Sequence, residues 1–286
     1  MSEAHDRLVM AVNRKDLNPD ASPQAAFGAR LRRLREEKGW PQEDLGGRME
    51  YSGTHVSAVE TGRKLPTLRF ARRADTALET GNSFEQEWRE MRQGSLLEGF
   101  PEYLEYEARA VEIRLYEVGV VPGLLQTSEY AATLEADAVR RAAATQAQAD
   151  ERVALVAERQ ASLARSPAPL LFVVLDESCI RRPMGPPRVM AAQLARLLDI
   201  AEQPNTLLQV APFAMGARRP FTLPITILTM RDRALMAYAE SAQRGHLDRE
   251  IPSVVPTLTA YHHLQAESLT RAESVAMIED VRKGML

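Results

Sequence analysis

The chain has 286 residues, 45% of them hydrophobic and 26% charged, with a net charge of −3, an ordinary globular balance for two domains or one large one. No run approaches the ~20 apolar residues of a membrane-spanning helix, and residues 1–20, which include His5, Arg7, Arg14, Lys15 and Asp16, lack the apolar centre of a secretory signal. The single cysteine, Cys179, excludes an internal disulfide framework and fits a reducing, cytoplasmic location.

In chain order, Asn18-Pro19-Asp20-Ala21-Ser22-Pro23 closes a flexible tail, 1–22. Phe27, Leu31 and Leu34 repeat at helical spacing and predict a helix from Phe27 to Lys38, stopped by Gly39. Pro41 suits a first helical turn, and Gln42 to Met49 follows as a second helix. Ser52 caps a third, Gly53 to Thr61, closed by Gly62. Pro66-Thr67 starts a fourth, and Ser83-Phe84-Glu85-Gln86 has the form of a capping box opening a fifth. A boundary falls within Gly94 to Gly99, giving a first domain over 23–95 and a second over 96–286.

Beyond it, Tyr103 to Tyr116, Ser128 to Ala138 and Gln148 to Ala164 read as helices, and Leu170 to Leu175 as a buried strand. Pro187 to Glu202 is a helix and Thr206 to Val210 a strand, which makes a βαβ unit with parallel pairing. Phe221 to Met230 and Ala234 to Ala239 form a hairpin about Arg231-Asp232-Arg233, and the last helix opens on a capping box, Thr270 to Glu273. The expected fold is an α-helical helix-turn-helix domain followed by an α/β (α+β) domain with a small mixed sheet.

Charge divides the chain in the same way. From Phe27 to Arg73, eleven Arg and Lys stand against six Asp and Glu, a surplus of five, so the remainder carries −8. A basic module on an acidic body is the asymmetry of a DNA-binding domain joined to an effector domain. Within the module, Leu45 and Met49 of one short helix would face Val56 and Val59 of the next across a turn at Glu50-Tyr51-Ser52. Such a pair presents its second helix to the major groove.

The order and spacing of Leu31, Leu34, Arg35, Gly39, Gln42, Leu45, Ser52, Val56, Ser57, Val59, Glu60, Gly62 and Pro66 resemble the xenobiotic-response-element (XRE, lambda-repressor-like) helix-turn-helix family. The resemblance implies that Gln42 bonds a phosphate or base edge, that Ser52 and Thr54 stand at the entry of the recognition helix, that Arg35 and Glu60 form an internal salt bridge, and that Arg63 and Lys64 neutralise phosphates. Family members often carry arginine or glutamine where this chain has Gly53 and Ala58. Readout then falls on Thr54, His55 and Ser57, helped by DNA shape. His55 itself has two readings, a groove-facing polar residue or an internal one.

The second half is similar to the actinobacterial WhiJ-like regulators, through Tyr116-Glu117, Pro122 to Thr127, Glu129-Tyr130, Arg159-Gln160, Asp176-Glu177, Arg182-Pro183, Gln193-Leu194, Gln209-Val210, Phe221, Tyr238 and Glu240. The resemblance implies an antitoxin-like repressor with a small protein partner encoded nearby. Asp176-Glu177 follows a strand at the edge where α/β sheets bind ligands, and Glu177, Tyr238 and Glu240 make a candidate ligand or partner patch. No catalytic elbow, phosphate loop or metal motif accompanies them, and His262-His263 lacks further ligands. The expectation is a non-enzymatic, cofactor-free regulator that binds double-stranded DNA as a homodimer. An enzyme or an interaction protein that uses the helix-turn-helix for tethering or assembly is the alternative.

Overall fold

The computed structural model describes residues 22–91, 96–241 and 244–285, and the chain divides into two compact units, Met1–Gln93 and Gly94–Leu286. The expected tail, Ser22 apart, and Gly94 and Ser95 of the expected boundary lie outside the described residues.

Among the described residues the first unit is five helices: α1 Pro23–Glu37, α2 Gln42–Met49, α3 Gly53–Glu60, α4 Leu68–Leu78 and α5 Ser83–Met91. Helix α1 starts four residues before Phe27 because Ser22 caps it and Pro23 takes its first turn, where a missing N–H costs nothing. Ser52 and Thr67 cap α3 and α4 by accepting from His55 N and Phe70 N. The expected capping box at Ser83 is replaced. Asp75, buried on α4, accepts from the amides of Phe84 and Glu85 at 2.9 Å each, while the Ser83 hydroxyl receives Arg30 Nη2. A carboxylate from a neighbouring helix thus serves the start of α5, and its charge suits that helix end.

Phe27, Leu31, Leu45, Met49, Val56, Val59, Phe70, Phe84 and Trp88 form one buried core, each large side chain contributing about 1.5–3 kcal/mol of burial. Trp88 Nε1 donates to the Pro66 carbonyl at 2.8 Å, which leaves no orphaned donor there. The turn from α2 to α3 needs a glycine: a Cβ on Gly46 would lie 2.7 Å from the Tyr51 carbonyl oxygen, whereas one on Gly47 would meet nothing.

Among the described residues the second unit has a six-stranded mixed sheet in the order β3-β2-β1-β4-β5-β6. Its strands are β1 Glu112–Glu117, β2 Leu170–Asp176, β3 Thr206–Ala211, β4 Ile225–Thr229, β5 Leu235–Glu240 and β6 Gly245–Asp248. The expected βαβ unit is present: β2 and β3 are parallel, joined through α9 Glu177–Arg181 and α10 Pro187–Ala201. The expected hairpin is β4–β5, antiparallel. The expected helix Tyr103 to Tyr116 is overturned. A helix, α6 Phe100–Glu107, ends early, and Glu112–Glu117 is β1, paired parallel to β2 and antiparallel to β4. Ile113 and Leu115 are buried on one face and Tyr116 on the other, the two-residue period of a strand, which the aromatic residues before it obscure.

Helices α6 Phe100–Glu107, α7 Ser128–Arg140, α8 Gln146–Leu163, α11 Ile251–Glu267 and α12 Arg271–Lys283 complete the unit. Thr270 and Glu273 make the expected capping box on α12. One sheet face buries Ile113, Leu115, Leu171, Val173, Leu208 and Leu228 with Leu194, Leu197 and Ile278 of the helices. The other packs Tyr116, Val174 and Ile227 on Tyr261 and Leu264 of α11. The Tyr261 hydroxyl crosses to the Phe172 carbonyl at 2.8 Å. No helix among the described residues is long and apolar enough to cross a membrane.

Candidate nucleic-acid interface and a cavity in the second unit

In the first unit α3 is fixed from below by charge. Glu60 is 1% exposed and Arg35 7%. Arg35 donates through Nε and Nη2 to the two oxygens of Glu60 at 2.6 and 2.9 Å, and through Nη1 to the Trp40 carbonyl at 2.8 Å. This two-pronged pair joins α1 to the end of α3. Gln42 adds a third bond, Nε2 to Glu60 Oε2 at 2.7 Å, so in the free protein its amide braces α3.

The outward side of α3 carries Thr54, exposed, with Ser57 and Ala58 half-buried. Gly53 is buried instead: its amide donates to Glu43 Oε2 at 3.2 Å, and a Cβ there would lie 2.5 Å from the Glu43 carboxyl carbon. A side chain at that position would displace the Glu43 carboxylate from the Gly53 amide. Glu43, which the sequence did not single out, faces a concavity of about 400 Å³ shared with Pro41, Gln42, Gly53, Thr54 and Ser57.

His55 is half-buried. Its ring stacks on Phe70, with centroids 5.4 Å apart and an interplanar angle of 17°, and lies 4.7 Å from the Tyr51 ring. Its Nε2 is buried without a hydrogen-bond partner among the described residues. Burial, and secondarily the charge of Lys64, lowers its pKa. Tyr51 and Phe70 make an aromatic slot for the half-buried ring at that turn of α3.

Most cations of this unit already have partners: Arg30 with Glu87, Arg32 with Glu36, Arg69 and Arg73 with Glu50, Arg72 and Arg89 with Glu85. Among the described residues no carboxylate pairs with Arg48, Arg63 or Lys64. Arg48 lies over the Trp40 ring at 4.2 Å. Arg63 follows α3, donates to Thr61 Oγ1 at 2.9 Å and comes within 3.5 Å of the Ser57 hydroxyl.

In the second unit the expected patch comes apart. Tyr238 donates to Glu240 Oε1 at 2.9 Å, but Glu177 serves the fold elsewhere. Its oxygens take the Phe213 amide at 2.7 Å and Arg181 Nε at 2.5 Å. Asp176 caps α9 through Ser178 N and binds Arg219 at 2.7 Å. The two acids therefore tie the end of β2 to the 213–219 segment, Glu177 at Phe213 and Asp176 at Arg219.

Tyr238 and Glu240 instead line a cavity of about 830 Å³ with Glu117, Arg159, Phe100 and Tyr103. The Tyr103 and Tyr238 rings stack with centroids 4.1 Å apart and an interplanar angle of 17°. Gly245 permits that stack, since a Cβ on it would lie 2.1 Å from the Tyr238 hydroxyl oxygen. Glu107, 1% exposed, receives Arg159 Nε and Nη2 at 2.8 Å each and also the Tyr103 hydroxyl. Burial, then the charge of Glu240, pushes the Glu117 carboxyl up to about 8, with Arg159 opposing. Sequence reasoning noted Glu117 and Arg159 as parts of motifs without assigning them a site. Their convergence depends on β1 being a strand.

The fold and these surfaces define a two-unit protein of the helix-turn-helix class, with an α/β unit that encloses a cavity. A helix-turn-helix domain model matches residues 26–84, which points to a DNA-binding regulator, and the model of a domain of unknown function, DUF5753, matches residues 100–280. The chain belongs to the DUF5753 family. No curated protein and no solved structure matches it.

Proposed function

We propose that the protein is a cytoplasmic, sequence-specific DNA-binding regulator of the XRE, WhiJ-like and antitoxin-like type, acting as a repressor. It would bind its operator as a homodimer through α3. Thr54, Ser57 and Ala58 would read base edges, and Ser52 and Gln42 would stand at the groove entry. Arg63 and Lys64 would neutralise phosphates. The second unit would receive the signal, a small ligand or a small protein encoded nearby, and would act by binding DNA-competent and incompetent states unequally. The observation that carries this reading is Arg63, which has no acidic partner among the described residues and reaches to 3.5 Å of Ser57 on the outward side of α3. A regulator is favoured over an enzyme because Asp176 and Glu177, the acids at the end of β2, are committed to structural bonds.

Fluorescence anisotropy of the full-length protein on its own upstream region and on a scrambled duplex, at two salt concentrations, tests the proposal. A preference of at least ~10³-fold is expected. Removing Arg63 should weaken both duplexes alike and reduce the salt slope by about one phosphate's worth, ~0.9. Equal affinity for both duplexes would count against specific regulation through this region.

A further inference from the structure

We propose that the cavity of the second unit binds a small organic cation, an amine on an aromatic or aliphatic body, with its ammonium held by Glu117, Glu240 and the Tyr238 hydroxyl. The walls favour an apolar body, since Phe100, Leu115, Val121, Leu134, Val156 and Tyr238 all line the space. Its size is that of ordinary small-molecule sites.

Charge sets the polarity of the ligand. Four carboxylates line the cavity. Glu98 pairs with Arg244 and Glu135 with Arg152. Glu117 and Glu240 have no Arg or Lys partner among the described residues. Arg159 cannot neutralise them fully, because Nε and Nη2 of its guanidinium are committed to the Glu107 carboxylate, which balances its charge, and for the same reason it is a weaker anchor for an anionic ligand than an unpaired arginine. Tyr238 donates its proton to Glu240, so its oxygen keeps a lone pair for an incoming N–H donor.

The groups acting on Glu117 are Glu240 of β5 and Arg159 of α8. Glu117 acts in turn on Tyr130 of α7 and Cys179 of α9. Tyr238 and the Tyr103–Glu107 pair of α6 stand in the same setting. Near neutral pH Glu117 holds a proton, because its carboxyl lies at about 8. An ammonium takes that proton's place, the carboxylate forms and the proton passes to solvent.

The inference deepens the regulator reading and rests on it for its consequence. Binding is measured without DNA, so the two fail separately. Isothermal titration of the full-length protein would compare 4-phenylbutylamine with 4-phenylbutan-1-ol and 4-phenylbutyrate at pH 7, in two buffers of different ionisation enthalpy. The amine should bind at least about tenfold tighter than either counterpart, the least that a hydrogen bond to a charged group contributes, and should release protons. Glu117→Gln and Glu240→Gln should each reduce that preference while leaving the weak binding of the alcohol unchanged. Glu240 is exposed, so its variant probes the site without risk to the core. No amine binding at millimolar concentration, equal binding of the alcohol, preference for the butyrate, or full preference kept in both variants would each overturn the proposal.

Discussion

Removing Glu60 should nearly unfold the first unit while leaving the second folded. The carboxylate is 1% exposed and accepts three hydrogen bonds, at 2.6 and 2.9 Å from Arg35 and 2.7 Å from Gln42. In Glu60→Ala the Arg35 guanidinium, itself buried, would keep the Trp40 carbonyl at 2.8 Å and the edge of Glu36 at 3.6 Å. Breaking one side of a buried pair costs about 3–5 kcal/mol, a large part of the ~5–15 kcal/mol that holds a typical domain. At ~4–8 °C per kcal/mol for a unit of this size, the melting point should fall by more than ~12 °C. The assay needs no truncation, because the two tryptophans, Trp40 and Trp88, both lie in the first unit, so tryptophan emission in urea follows that unit within the full chain. Arg35→Met with Glu60→Leu removes both charges together and should recover at least half of the loss. A loss under ~1 kcal/mol in Glu60→Ala, or a double variant as unstable as the two singles summed, would refute the coupling.

Glycine makes opposite demands at neighbouring positions of α2. Gly47→Ala should stabilise the first unit by about 0.5–1 kcal/mol, since its Cβ meets nothing, whereas Gly46→Ala should destabilise it, since its Cβ meets the Tyr51 carbonyl; urea midpoints of the two variants check this. His55 has a lowered pKa in the fold, so the unfolded chain takes up its proton first, and stability falls as pH drops below ~6.5. His55→Phe should flatten the tryptophan-monitored stability between pH 7 and 5, a window clear of Glu85, which titrates at about 2, and should leave DNA preference intact. Glu117 behaves oppositely: its raised pKa favours the fold below ~4.5, and that contribution is lost as pH rises through about 8. Glu117→Gln should remove the decline between pH 6 and 9, followed in the tyrosine near-UV dichroism of the second unit.

The first unit was legible because its signals are local. Leu31, Leu45, Met49, Val56 and Val59 keep helical spacing, and Ser52, Thr67, Gly39 and Gly62 mark the ends. Two features there were hidden because they act across the chain: Asp75 reaches the start of α5 from another helix, and Glu43 fills the space over Gly53. In the second unit Leu170–Leu175 is legible as an apolar run, and Thr206–Val210 as the strand that follows the next helix. Strand β1 is not, because its polar ends, Glu112 and Glu117, and the aromatic Tyr103 and Tyr106 before it blur the period. Misreading that strand hid the cavity, since Glu117 meets Tyr238, Glu240 and Arg159 only when β1 lies in the sheet. The place of Glu177 at a strand end suggests a ligand site, but a carboxylate there can equally cap and brace, and it braces the Phe213 amide.

The central claim is that α3 reads DNA sequence, and selection from a pool of random duplexes with the full-length protein tests it most directly. One motif should be enriched, with two half-sites related by symmetry, and Thr54→Ala with Ser57→Ala should lose the enrichment while still retaining DNA at low salt. A pool that stays random with the wild-type protein, or an identical motif enriched by the double variant, would contradict it.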